Sequence, residues 1–298
     1  MAKHLVHPYE DLANGQWLKV NLHAHTTMSD GQSTRQQTID DYADRGYDAL
    51  MLSDHDVTTL VEDYMKLDSR GLLLIPGNEI SANGQHLLHV NGTIPIRPIP
   101  QRQTVIDNAS KQDDFVIVNH PNFGDSFDHC PMRLLRQWTG YVGLEIYNGI
   151  VNLATGNPYA TDKWDMLLSE GRRIWGLAND DSHSRETIGA GWNEVFARQR
   201  TAEDVLEAIL AGRFYATTGI AITQISVDDM TVTIQTDTAD RIVATGTLGR
   251  QIAAVDDRQI TIDVPETGIY VRFTCYGPHD TRAWTQPFFV EGHPHPRK

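Results

Sequence analysis

The segment Trp17-Leu18-Lys19-Val20-Asn21-Leu22-His23-Ala24-His25 runs from an apolar stretch into a pair of histidines. Residues 17–22 read as a strand, and residues two apart on a strand point to the same face, so both imidazoles can reach one cation. A His-x-His pair also occurs on ordinary strands. What decides the matter is that the pattern recurs: apolar run, then a metal-ligand residue type at its end.

Residues 47–52 end at Asp54-His55, 72–75 lead to Gly77-Asn78-Glu79, and 115–118 lead to His120-Pro121. Residues 142–146 contain Glu145, and 173–178 stop just before Asp181-Ser182-His183. Between them lie helical patterns at 34–45, with Ser33 as the expected cap, at 164–170, stopped by Gly171, and at 202–210, closed by Gly212. Alternating short strands and helices imply parallel βα units, and such folds gather ligands at the carboxyl ends of the strands. After Gly219 the pattern changes. Residues 222–227, 230–235, 259–264, 269–275 and 287–290 read as strands separated by Asp, Gly and Pro turns. The expectation is an α/β chain with a βα unit over 1–219 and a small antiparallel β-rich module over 220–298, whose polar tail from Gly292 is loose.

The chain has 298 residues and a formal net charge of −14, which disfavours nucleic acid as a partner and leaves a small-molecule substrate. Two cysteines, Cys130 and Cys275, are too few for a disulfide framework and point to the cytoplasm. No run approaches the roughly 20 apolar residues of a membrane span, and the first residues lack the apolar core of a signal peptide.

Each candidate ligand has a plainer reading beside its chemical one. Asp30 in Ser29-Asp30-Gly31 is also a common turn, and His55 between Asp54 and Asp56 could be an exposed histidine beside a helix cap. Glu79 at the end of an apolar run is costly to bury unless paired or metal-bound. His86 and His89 are three apart, so a strand sends them to opposite faces; His89 is the expected ligand and His86 the alternative. Asp181 and His183 share a face if extended. Arg185 is a candidate for binding a phosphate oxygen, Asn148 and Tyr147 for lining a pocket, and Trp164 for helix packing. Together, imidazole and carboxylate suit Zn, Mn or Fe.

These segments resemble the PHP (polymerase and histidinol phosphatase) family of metal-dependent hydrolases over about residues 17–190. The stretches Gly143–Gly149, Gly212–Gly219 and Arg282–Pro287 are similar to a narrower branch containing carbaryl-hydrolase-like metallohydrolases. The resemblance implies a distorted seven-stranded β/α barrel holding two or three divalent ions. It implies that His23, His25, Glu79 and Asp181 hold one ion, and that Glu79, His89 or His86, and His120 hold a second. Asp30, His55 and His183 would complete a third position. His129 is the nearest later histidine, in a context that does not match, and Glu145 could stand in its place. The implied chemistry is hydrolysis by metal-activated water, with Asp181, His183, His55 and Arg185 as the catalytic set and His183 or His55 as general acid. A phosphoesterase acting on a small phosphorylated molecule is expected. A carboxyl-ester, amide or carbamate hydrolase using the same metals is the alternative, and a non-catalytic metal-binding protein a third.

Overall fold

The computed structural model of the chain describes residues 3–111 and 113–292; the expected loose tail lies outside them from residue 293 onward. Strand Gln16–Asn21 pairs in parallel with Ala49–Met51, and Ala49–Met51 with Leu73–Ile75. Pro76 follows, and because proline has no N–H the ladder breaks there. The chain resumes as Gly77–Ile80 in a second sheet that continues through Leu87–Val90, Phe115–Val118, Tyr141–Asn148 and Trp175–Asn179. The first two pairings of this sheet are antiparallel and the last two parallel.

The α/β class is as expected. The strands named so far fall into two sheets, and beyond the strand ends backbone pairing joins these sheets at Ala24–Ser182 and at His55–Glu79. At one seam the side chain of Asn193, on strand Trp192–Ala197, replaces a ladder rung: its amide accepts from Ala178 N at 3.1 Å and donates to Ala178 O at 2.7 Å. Trp192–Ala197 itself pairs antiparallel with Gln16–Asn21.

Side-chain alternation divides the core. Val20, Leu22, Met51, Ile75, Leu88, Val90, Phe115, Ile117 and Val195 fill the space between the sheets. The intervening residues Leu87, Val116, Val118, Leu144 and Ile146 turn outward, against helices Arg102–Ala109, Met132–Gln137 and Thr161–Ser169. Each large side chain so buried contributes about 1.5–3 kcal/mol. Helix Arg35–Asp44 starts at a capping box of Thr34 and Gln37, so the cap is Thr34 and not the expected Ser33. Helix Ala202–Ala211 ends at Gly212 in the left-handed conformation (φ 77°), as the glycine there implies.

The later strands are antiparallel, as expected, and are continuous with the earlier ones. Tyr270–Tyr276, Arg282–Thr285 and Phe288–Glu291 extend the first sheet beyond Phe214–Thr217, and His4–Val6 pairs with Phe288–Glu291. Ile222–Asp228, Thr231–Thr236 and Gln259–Asp263 form a separate three-stranded sheet. Arg272 grips Asp165 on helix Thr161–Ser169 with two hydrogen bonds of 2.7 and 2.6 Å, and Tyr270 donates to the same carboxylate. No helix among the described residues is long and apolar enough to cross a membrane.

Candidate metal centre

His23 and His25 follow Gln16–Asn21 and are both buried, with ring centroids 5.1 Å apart. The His23 ring is fixed from behind by Glu145: its Nδ1 lies 2.7 Å from Glu145 Oε1. With Nδ1 protonated and donating, Nε2 presents its lone pair to Asp181 Oδ1 at 3.2 Å and Glu79 Oε1 at 3.4 Å. His25 Nε2 lies 3.0 Å from the same Asp181 oxygen and 3.6 Å from Glu79 Oε2. Ligand bonds of about 2.1 Å set neighbouring ligand atoms about 3.0–3.5 Å apart, which matches these spacings.

Around this pair three more groupings overlap, each with candidate ligand atoms within 4.8 Å of one another: His55, Glu79 and His86; His25, Asp30, His55 and His183; and His86, His120 and His129. Asp30 reaches the cluster because the 26–31 loop folds tightly. A Cβ on Gly31 would come within 2.5 Å of the His25 backbone. Asp54 ties that loop down through Thr26 N, Thr26 Oγ1 and Ser29 Oγ, while Asp56 accepts from Ser81 N and Ala82 N. Neither acid touches His55, so their work is to shape the loops on either side of it. His120 (φ 25°) and Asp181 (φ 52°) hold left-handed backbone conformations, the kind of local strain that collects at functional sites.

The side chains fit a cation. His23 Nε2, His25 Nε2, His55 Nδ1, Glu79 Oε2 and Asp181 Oδ1 are buried and make no hydrogen bond, even though His55 Nδ1 and Glu79 Oε2 approach to 2.8 Å. Orphaned polar atoms are rare and costly, and five converging on one place ask for a ligand that accepts lone pairs. Without metal the histidines serve as counter-charges. Burial lowers the affinity of His23 for a proton, but Asp181, Glu145 and Glu79 outweigh it and hold the imidazole well above its ordinary range. Burial would raise Glu79, yet His23, His120 and His55 hold it well below the usual carboxylate range.

Two expectations are corrected by position. His89 is not in the cluster. In the antiparallel pair Gly77–Ile80 and Leu87–Val90, Glu79 stands opposite Leu88, so His86, two residues before Leu88, shares the face of Glu79. His86 Nδ1 lies 3.2 Å from Glu79 Oε1, whereas His89 faces outward to Asp114 at 3.1 Å. Arg185 is brought to Asp41 on helix Arg35–Asp44, with Nε 3.0 Å from its carboxylate, and does not line the cavity over the cluster. The remaining candidates His23, His25, Asp30, His55, Glu79, His120, Asp181 and His183 come together. His183 donates from Nδ1 to its neighbour Asp181 O at 2.9 Å, leaving Nε2 3.4 Å from Asp30.

Glu145 accepts four hydrogen bonds: from His23 and Asn179 Nδ2 on one oxygen, and from His120 N and Asn148 Nδ2 on the other. That fills its roughly four lone-pair positions and leaves none for an ion. His129 approaches His86 and His120, with its Nε2 accepting from His86 N at 3.1 Å. Burial and the neighbouring His120 and His86 push it down to about 3. Two asparagines had no assigned role in the sequence: Asn119 donates to Glu79 at 2.6 Å and Asn179 to Glu145, while Asn148, a candidate for lining the pocket, donates to Asp181 at 3.1 Å. Their position at strand ends, beside ligands, was the available signal. Tyr147 stacks near Trp284 and Trp164 is core, its indole donating to Ile174 O.

A family model of the PHP-associated region matches residues 168–214, which include Asp181 and His183. Over 63 residues the chain is 38% identical to the phosphoribosyl 1,2-cyclic phosphate 1,2-diphosphodiesterase of Eggerthella lenta, a match spanning 21% of this chain and 24% of that enzyme. The fold is similar to that of a two-domain protein from Bacteroides vulgatus containing a predicted PHP-like metal-dependent phosphoesterase. The TM-score is 0.56 at 21% identity, over 96% of this chain and 90% of that one. A weaker likeness links it to the lesion-specific endonuclease PfuEndoQ of Pyrococcus furiosus: TM-score 0.46 at 14% identity, over 77% and 62% of the two chains. Residues 168–214 are thus similar to PHP-associated sequence, and the mixed α/β fold has a PHP-like structural neighbour.

Proposed function

We propose that the chain is a metal-dependent hydrolase of the phosphoesterase type, acting on a small phosphorylated molecule and using two or three ions of Zn, Mn or Fe. The observation that carries this reading is the convergence of unpartnered lone pairs from His23, His25, His55, Glu79 and Asp181. The phosphodiesterase and phosphoesterase likenesses support the same enzyme class. Bound divalent cations would activate water and draw charge from the scissile bond.

His23, His25, Glu79 and Asp181 form one position, Glu79, His86 and His120 a second, and Asp30, His55 and His183 a third. Glu79 would serve two of these positions, since it offers two oxygens. Glu145 acts from behind, holding His23 in the tautomer that bares Nε2. His183 and His55 lie at the solvent side of the cluster, about a quarter exposed; in a two-ion centre that leaves the third position empty, a leaving group could take a proton from either. We read the two sheets, bridged at Ala24–Ser182 and His55–Glu79, as a distorted PHP barrel, and the strands after residue 219 as a brace that holds it through Arg272 and Asp165.

The carbonyl-ester alternative draws support from the absence of Lys or Arg in the cavity lining among the described residues. Purified protein loaded with Mn, tested on phosphodiesters, phosphomonoesters and carboxyl and carbamate aryl esters, separates the two readings. The proposal expects metal-dependent turnover of phosphates; turnover confined to carbonyl esters rejects it.

A further inference from the structure

The cavity over the cluster has two unlike halves. One is formed by Asp30, His55, Glu79, His86, His120, Asp181 and His183. The other is apolar: Phe123, Ile150, Val151 and Ala154. Two loops are braided to make this second wall. Phe123 bridges Gly156, Gly124 N donates to Thr155 O at 2.9 Å, and Asn157 N donates to Asn122 O at 2.9 Å. Leu153, exposed at 72%, extends the same 150–154 loop into solvent. The cavity volume is about 230 Å³. That is below the roughly 300–1,000 Å³ of pockets for drug-sized ligands, and suits one small organic substituent.

No Lys or Arg lines this cavity among the described residues. The nearby cations are committed elsewhere: Arg185 to Asp41, and Lys163 beneath the loop to Asp128, Pro121 O and Cys130 O. A phosphomonoester carries about −1.5 to −2 charge at neutral pH and calls for cationic clamps, whereas a phosphodiester carries a single charge. Glu79 and Asp181 would offset two of the four positive charges of ions at the first two positions, and the Asp30 carboxylate stands beside them at the third.

Resting on the phosphoesterase reading, we propose that the substrate is a monoanionic phosphodiester carrying a small apolar substituent, which lies against Phe123, Ile150 and Val151. Hydrolysis then adds water across one P–O bond. The water oxygen bonds to phosphorus, the departing oxygen takes a proton, and a phosphomonoester and an alcohol result.

Three probes sharing one chromophore test this on the Mn-loaded protein: 4-nitrophenyl phosphate, methyl 4-nitrophenyl phosphate and phenyl 4-nitrophenyl phosphate. The phenyl diester should exceed the methyl diester in kcat/KM by about tenfold, and both should exceed the monoester. Phe123→Ala, at a half-buried position whose ring packs edge-on against His120, should remove most of the phenyl advantage through KM, with metal content measured alongside to show that His120 still binds. Ala154→Arg, at an exposed position, should raise the monoester relative to both diesters. Calorimetric binding of methyl phenylphosphonate against methyl methylphosphonate gives a readout without turnover, and the same preference should appear and vanish in Phe123→Ala. Turnover of phosphates with the monoester fastest, or with no phenyl preference in rate or binding, overturns the inference and leaves the phosphoesterase reading standing. Turnover of 4-nitrophenyl acetate alone overturns both.

Discussion

Replacing Glu145 by Gln is the sharpest probe of how the centre is built. Glu145 is fully buried and accepts four hydrogen bonds, two at each oxygen. A glutamine must turn an NH2 toward one of those donor pairs. Either His23 and Asn179 or His120 N and Asn148 then face a donor. Two bonds to a charged acceptor are lost, each worth about 1.5–3 kcal/mol, and their donors stay buried and unmatched. Against this, metal-free protein gains from losing one carboxylate near Glu79 and Asp181. A net loss of about 2–4 kcal/mol of stability is the balance expected from those two opposed effects. For metal the consequence is larger in relative terms. His23 loses the partner that fixes its tautomer, and affinity should fall about 10- to 100-fold, or about 1.4–2.8 kcal/mol, with unchanged stoichiometry. Calorimetric titration of chelator-stripped protein with Zn or Mn, beside thermal unfolding with and without metal, measures both. Affinity within twofold of the parent refutes the orienting role. Loss of a whole equivalent of metal shows instead that Glu145 is itself a ligand.

Other outcomes follow from the same geometry. His86→Asn should abolish binding of one ion, while His89→Asn should cost stability through its hydrogen bond with Asp114 and leave metal stoichiometry intact; metal analysis of the two variants decides between them. Arg185→Ala should leave kcat/KM within about twofold, since its exposed pair with Asp41 is worth at most about 1 kcal/mol; a drop of 100-fold would put the guanidinium in the reaction. Burial opposes proton binding at His23, but Asp181, Glu145 and Glu79 raise it well above its ordinary range in metal-free protein. Below that raised value a metal must displace a proton from Nε2, so affinity should fall as pH falls. Titrations in buffers of different ionisation enthalpy should show release of about one proton or more per chain at neutral pH, and identical heats in every buffer would contradict it.

The sequence made the candidate ligand set legible because each residue sits where an apolar run stops, and strand ends converge in space. His23, His25, Glu79, His120 and Asp181 could be found this way. The choice between His86 and His89 could not. Alternation showed that they face oppositely, but the register that pairs Glu79 with Leu88 is a long-range fact, set by how two strands align. The pairing of Arg185 was hidden for a similar reason: its partner Asp41 lies on a helix 144 residues earlier in the chain, counting from 185 back to 41. The antiparallel strands Leu87–Val90 and Trp192–Ala197 were hidden among what reads as parallel βα repeats. Polar supports such as Asn119, Asn179 and Asn193 give no periodic signal, because they act through side-chain amides at seams where backbone pairing ends.

The central claim is that the buried cluster binds divalent ions and that those ions make the chain a phosphoester hydrolase. Titrating chelator-stripped protein with Mn while following phenyl 4-nitrophenyl phosphate tests it in one experiment, with Asp181→Asn alongside. Activity should be absent from stripped protein, rise in step with occupancy, and stay near background in Asp181→Asn even though that variant folds. Activity that survives stripping, or that Asp181→Asn retains at full metal content, would contradict the account.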